Sequence, residues 1–418
     1  MSFHKYSVSV QRRVVPCTLT LVTIVAKDEK GRTNGKKSEK WKKTAAEDAV
    51  KLLKDILEIP SVNGKDDEGA VAEYLDQYFK SYGIESRVDR IDETHANVIA
   101  LIPGESGETE IWNGHLDTVP YGDLDKWETE PWKVEEREGK LFARGASDMK
   151  SGLAAMAFAL AHLPGKPKHT IQFMGTCDEE KGGLGARRIV EESQMAASRF
   201  MLIGEPTDLR PGAAQKGCLW LRLSVKGKTC HGAYPEKGAN AIHGLFKTAE
   251  EIKAYVEQFS HPFLGQSTAQ INWIGGGGAF NMTADGCEAV MDIRMVPGLD
   301  TAMVLERAKE AAGRLKTENP LFDCTFTVEN SRRAIEIEEE HEKVRRLKEI
   351  LGERGLNQES IGINFFTDAS ILAERDMEQK ILLFGPGKPN LAHQPNEYVE
   401  TEAYLTAIEA LMEMADCR

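Results

Sequence analysis

No apolar run in the 418-residue chain reaches the roughly 18 residues that a membrane-crossing helix needs. A spanning segment is therefore not expected. Nor is there an excess of positive charge. The formal net charge is −13, which makes the whole chain a poor partner for nucleic acid. The seven cysteines (17, 177, 218, 230, 287, 324 and 417) are odd in number and scattered, with no CxxC pair. That excludes a disulfide framework and a thiolate zinc site, and it fits free thiols in a reducing compartment such as the cytoplasm. Internal repeats and long low-complexity tracts are also absent.

The length suffices for a large core and two domains. Charge is unevenly spread. Residues 1–46 carry a net +8, so the remainder carries −21. Arg12 and Arg13 precede VVPCTLTLVTIVA, which has the look of a signal-peptide core, but no small-x-small cleavage site follows. The expected reading of residues 1–43 is a basic, disordered extension. Thr44-Ala-Ala-Glu47 has the pattern of a capping box, with Val50, Leu53, Ile56 and Leu57 at helical spacing behind it and Pro60 as a stop.

Beyond residue 47, helical segments alternate with short apolar strands: ANVIALI, TIQFMGT, FMLIG and KILLFG. This pattern predicts an α/β fold, a sheet covered by helices on both faces. SDMKSGLAAMAFALAHL predicts a small-residue helix packed closely on that sheet. The middle of the chain differs. LWLRLSVKGK alternates apolar and polar residues as a half-exposed strand does. From about 217 to 330 the order is β-α-β-β-α-β, that of a ferredoxin-like α+β unit. The expected organisation is a catalytic domain over 44–212 and 331–418, interrupted by a small domain over 213–330.

Four clusters of acids or histidines each follow a predicted strand. His115 and Asp117 follow EIW. Glu179 and Glu180 follow TIQFMGT. Glu205 closes FMLIG, and His393 lies beyond KILLFG. Asp148 precedes the small-residue helix. In an extended segment, residues two apart share a side, so His115 and Asp117 suit a metal ligand and its orienting partner, or a surface ion pair. Open α/β sheets bind ligands at the carboxyl ends of their strands, where these clusters can converge. Imidazoles and carboxylates without thiolates suit zinc, cobalt or manganese in a hydrolytic site. Five ligands with one shared carboxylate can serve two ions, and a leftover glutamate can act as general base.

The ordered motifs NGHLDTVP, RGASDMKSG, GTCDEEKGGLGAR, IGEPTDL and AHQPNEYV resemble the M20 family of zinc peptidases and deacylases, over about residues 47–418. Within it they look most like the branch holding acetylornithine deacetylase and succinyl-diaminopimelate desuccinylase. The resemblance implies a zinc-peptidase-like domain with a mixed sheet, and a lid and dimerisation domain. It implies that His115 and Glu205 hold one zinc, Glu180 and His393 the other, and that Asp148 bridges them. Asp117 would orient His115, Glu179 would be the base, and the Asp148–Met149 peptide would be cis. It also implies that His231 binds the oxyanion or substrate carbonyl, across a homodimer. Asn281 and Arg294 would hold the substrate carboxylate, with Thr367 and Gly385 in loops near the pocket. The guanidinium fork suits a carboxylate.

The implied activity is hydrolysis of an N-acyl amino acid with a free carboxylate. Succinyl-diaminopimelate desuccinylase leads, followed by acetylornithine deacetylase and then a dipeptidase or carboxypeptidase. A non-catalytic metal-binding homologue would lack a ligand or the base, and here all are present. Gly275–Gly278 invites a phosphate-loop reading but lacks the following Lys-Ser/Thr, so a strand-end turn is expected.

Overall fold

A computed structural model describes residues 35–198, 200–376 and 379–416. The chain forms two compact units. The first takes residues up to Pro211, then Glu339–Glu359 and the chain from Arg375 onward. The second takes Gly212–Glu338 and Ser360–Glu374. Residues 360–374, placed by sequence in the catalytic part, group with the second unit because strand Ile361–Ile363 pairs in parallel with Gly212–Gln215.

The first unit is built on a mixed sheet. Its strands run in the order Glu85–Arg90, Ala96–Ile102, Thr170–Thr176, Thr109–His115, Phe200–Ile203 and Lys380–Leu383. Ala96–Ile102 is antiparallel to both of its neighbours, and the last four strands are mutually parallel. Phe200–Ile203 is buried at every residue, which requires cover on both faces. Glu85–Arg90, with the sequence ESRVDR, escaped the sequence reading. It is a charged, half-exposed edge strand without an apolar signal.

Helix Lys150–Ala161 is buried along nearly its whole length and packs against helices Thr401–Met414 and Gly35–Glu58. Its small residues permit that closeness. A Cβ built on Gly152 would lie 1.8 Å from the carbonyl oxygen of Gly204. Helix Gly35–Glu58 buries Ala49, Leu52, Leu53, Ile56 and Leu57 and stops two residues before Pro60. Thr44 is inside it and is not its N-cap, contrary to expectation. The Lys-rich run before Thr44 consists mainly of good helix formers and carries the helix back to Gly35. The rest of the basic extension lies outside the described residues. No helix among the described residues is long and apolar enough to cross a membrane.

The second unit has the expected β-α-β-β-α-β order. Its four-stranded antiparallel sheet runs Thr268–Gly276, Gly286–Met295, Gly217–Lys226 and Asp323–Arg332. Leu219, Leu221, Leu223 and Val225 point inward in strict alternation and pack against helices Ala241–Val256 and Thr301–Glu318. Asn240 caps the first of these helices and Asp300 the second.

Candidate metal centre

The parallel strands of the first unit end at one edge. Thr109–His115 lies between Thr170–Thr176 and Phe200–Ile203, with Lys380–Leu383 next to the latter. Their carboxyl ends deliver His115, Glu179 and Glu180, Glu205, and the loop to His393 to the same place. Asp148 arrives from the loop after a small three-stranded sheet, Glu135–Arg137, Lys140–Phe142 and Tyr398–Glu400. That sheet pins the Asp148 loop beside the chain leaving His393.

Asp148 stands between the two histidines. Its Oδ1 is 3.2 Å from His115 Nε2, and its Oδ2 is 3.5 Å from His393 Nε2. His393 Nε2 is also 2.9 Å from Glu180 Oε2. Candidate ligand atoms of His115, Asp148 and Glu180 all lie within 4.8 Å of one another. Glu205 is buried and acts electrostatically on both His115 and Asp148. The Asp148–Met149 peptide is cis.

The charges show what the site favours. Burial alone would lower the His115 pKa, but Asp148, Asp117, Glu205 and Glu179 raise it well above its ordinary value. Burial would raise that of Asp148, and the two histidines pull it below the usual carboxylate range. Burial and the neighbouring Asp148 push Glu180 up. The hydrogen bond to Glu180 raises His393. So many anions in one buried place favour cations between them.

Asp117 acts differently from the simplest expectation. His115 Nδ1 hydrogen-bonds the backbone carbonyl of Asp117 at 2.9 Å, while the Asp117 carboxylate is 3.6 Å away. That carboxylate accepts instead from the amides of Glu179 (3.2 Å) and Glu180 (3.1 Å) and from Asn63 Nδ2 (3.1 Å). It therefore shapes the turn that presents the two glutamates. Asp178, with φ at +62°, starts this turn; its amide donates to buried Glu68 and its carboxylate accepts from Leu184. Asp tolerates this left-handed conformation better than most residues.

Residues 111–416 match the pattern of peptidase family M20/M25/M40. The chain belongs to this family. It is similar to a probable succinyl-diaminopimelate desuccinylase of Staphylococcus aureus (strain N315), 27% identical over 87% of this chain and 96% of that protein. It is equally similar, at 27% over 87% of this chain and 94% of the relative, to an acetylornithine deacetylase of Proteus mirabilis (strain HI4320). In fold it resembles aminopeptidase PepT from Bacillus cereus ATCC 10987, with a TM-score of 0.72 at 20% identity, covering 89% and 99% of the two chains. It also resembles Bacillus subtilis YXEP, a dinuclear metal-binding M20 peptidase, at 0.67 and 15%, covering 89% and 98%. An M20 chain of this kind is a metal-dependent hydrolase of amide bonds.

The remaining expected site residues of this M20 chain lie mostly in the second unit. His231 is exposed, and its Nδ1 accepts from the amide of Ala233 at 3.1 Å. Its neighbour Gly232 donates to the carbonyl of Asn281 at 2.7 Å, so the His231 and Asn281 loops run together. Arg294 directs its fork at Asp292, at 2.9 and 3.2 Å, with its guanidinium over the Phe366 ring. Thr367 is buried and donates to Gln215 at 2.8 Å. Gly385, in the first unit, has no room for a side chain, because a Cβ there would lie 2.5 Å from the Gly204 carbonyl.

Five polar residues around the centre were not singled out by sequence: Asn63, Glu68, Arg144, Lys150 and Glu397. Arg144, Lys150 and Glu397 stand inside quoted motifs, and that position was the available signal. Lys150 is buried and donates to the carbonyls of Ile56 and Ile59, both at 3.0 Å, tying the end of helix Gly35–Glu58 to the Asp148 loop.

Proposed function

We propose that this protein is a two-metal amidohydrolase that removes the acyl group from an N-acyl amino acid with a free carboxylate. The observation that carries this reading is the placement of Asp148, with one oxygen toward His115 and the other toward His393, which in turn meets Glu180. The donor set fits divalent cations. Besides its chemistry, Glu180 Oε1 is a buried oxygen with no hydrogen-bond partner among the described residues, as expected of an atom reserved for a cation. His115 and Glu205 would hold one ion, Glu180 and His393 the other, and Asp148 would bridge them. Zinc suits this set best, with cobalt or manganese as substitutes.

Bound cations supply Lewis acidity toward the amide carbonyl. The chain supplies the rest. Glu179 takes the proton of the attacking water and hands it to the leaving amine. Asp117 holds the Glu179–Glu180 turn, and its carbonyl selects the His115 tautomer that leaves Nε2 free as a ligand. His231 would meet the substrate carbonyl, and Asn281 and Arg294 its carboxylate. For Arg294 this requires exchanging Asp292 for the substrate. Homodimerisation through the second unit and residence in the cytoplasm belong to the same reading. The five cysteines among the described residues are unpaired, which suits a reducing compartment.

Succinyl-diaminopimelate is the leading substrate. N-acetylornithine is second, supported by a relative of equal identity bearing the deacetylase name. Turnover of the two substrates by zinc-loaded protein, beside Glu179→Gln, tests this. A tenfold preference, about 1.4 kcal/mol in transition-state binding, selects the branch. Turnover of dipeptides alone rejects the deacylase reading.

A further inference from the structure

Glu397 is fully buried four residues beyond His393, and the four hydrogen bonds that its carboxylate accepts all concern the Asp148 loop or its anchor. Its Oε1 accepts from the amides of Ser147 (2.7 Å) and Asp148 (2.9 Å). Its Oε2 accepts from the amide of Gly145 (3.2 Å) and from Arg144 Nη1 (2.7 Å). Arg144 is itself 4% exposed. The same guanidinium donates to the carbonyls of Gln394 (3.1 Å) and Pro120 (3.3 Å). Gln394 adjoins His393, and Pro120 closes the segment that begins with His115. One buried ion pair thus joins the three loops that carry His115, Asp148 and His393.

We infer that Glu397, locked by Arg144, is a positioning residue that sets the backbone under Asp148 and so the spacing of the metal ligands. The inference rests on the two-metal reading. A buried carboxylate is costly, and a merely structural role needs only enough donors to satisfy it. Here three of the four donors are consecutive or near-consecutive amides of a single ligand loop. A glutamine in its place keeps the shape but turns an NH2 group toward two N–H donors. One end of the clamp then opens.

The test is zinc titration of metal-free protein by calorimetry, with unfolding temperatures measured beside it. Glu397→Gln is expected to weaken zinc binding about 10–100-fold. Val344→Ala, a buried position in helix Glu342–Glu353 outside the site, serves as the control for general destabilisation. It is expected to lower the unfolding temperature and leave zinc affinity within twofold of wild type. Zinc affinity of Glu397→Gln within twofold of wild type overturns the inference, as does equal weakening in Val344→Ala. Should Glu397→Gln not fold, Arg144→Lys keeps the cation and loses the fork. It is expected to weaken zinc in the same direction, and wild-type affinity there overturns the inference. Wild-type protein that binds no divalent cation rejects the metal reading, and this inference falls with it. That outcome is distinct from a wild type that binds and variants that bind equally well.

Discussion

Asp117 accepts a hydrogen bond from the amide of Glu180 at 3.1 Å, and its other carboxylate oxygen accepts from the amide of Glu179 at 3.2 Å. The residue that follows His115 by two positions therefore holds the proposed base and a candidate ligand, both in the turn after a different strand. Asp117→Asn replaces one acceptor with a donor facing an amide. Activity is expected to fall about 10–100-fold, mainly in kcat. A steady-state comparison that finds kcat unchanged removes this role.

Glu179→Gln tests the base directly. Loss of a positioned general base costs about 10²–10⁴ in rate. The variant is expected to lose activity on that scale while binding zinc with wild-type stoichiometry, measured by metal analysis after gel filtration. A variant that is inactive because it has lost metal makes Glu179 a ligand rather than a base.

Metal binding is expected to release protons near neutral pH. His393 must be neutral to bind a cation, and Glu180 raises its pKa in the metal-free protein. The released proton makes zinc affinity fall as pH drops through that raised pKa. Calorimetry in buffers of different ionisation enthalpy reads the proton count. A count of zero at pH 7 contradicts the expectation.

Gly152→Ala probes the contact of the small-residue helix with the sheet. The added methyl would meet the Gly204 carbonyl at 1.8 Å, and the helix has to move. A loss of about 1–3 kcal/mol in urea unfolding is expected. A change under ~0.5 kcal/mol, typical of harmless surface substitutions, would show that the helix yields freely.

Glu68 supplies a pH signature. Burial, and then the nearby Asp117, push its pKa from an ordinary 4.5 to about 8. Between those values the folded state keeps a proton that the unfolded state gives up. Stability therefore falls as pH rises through this window, is free of the effect below it, and levels off above about 8. Glu68→Gln is expected to flatten that slope in denaturant titrations from pH 5 to 8. An unchanged slope assigns the pH dependence to other groups.

Much of the centre was legible in the order of residues. Ligand types are local, and the strand-end positions of His115, Glu180 and Glu205 follow from apolar runs that break into polar turns. The second unit was legible for the same reason: LWLRLSVKGK carries its own inward and outward faces. Two elements carry weak or misleading local signals. Edge strand Glu85–Arg90 is charged, and the helix expected from Thr44 begins at Gly35 because the preceding run is itself helix-forming.

By itself, the sequence determined the family, the alternation of strands and helices, and the kinds of atom available to hold a cation. Each depends on neighbours a few residues apart. Only the tertiary structure decided which atoms meet. The orienting bond to His115 comes from a carbonyl of Asp117 rather than its carboxylate. Arg144 and Glu397, 253 positions apart, share one buried ion pair. Those outcomes depend on strand order and on loops brought together by a small sheet. In a buried site each donor bonds whatever acceptor the packing leaves within 3 Å or so, and sequence distance has no bearing on that choice.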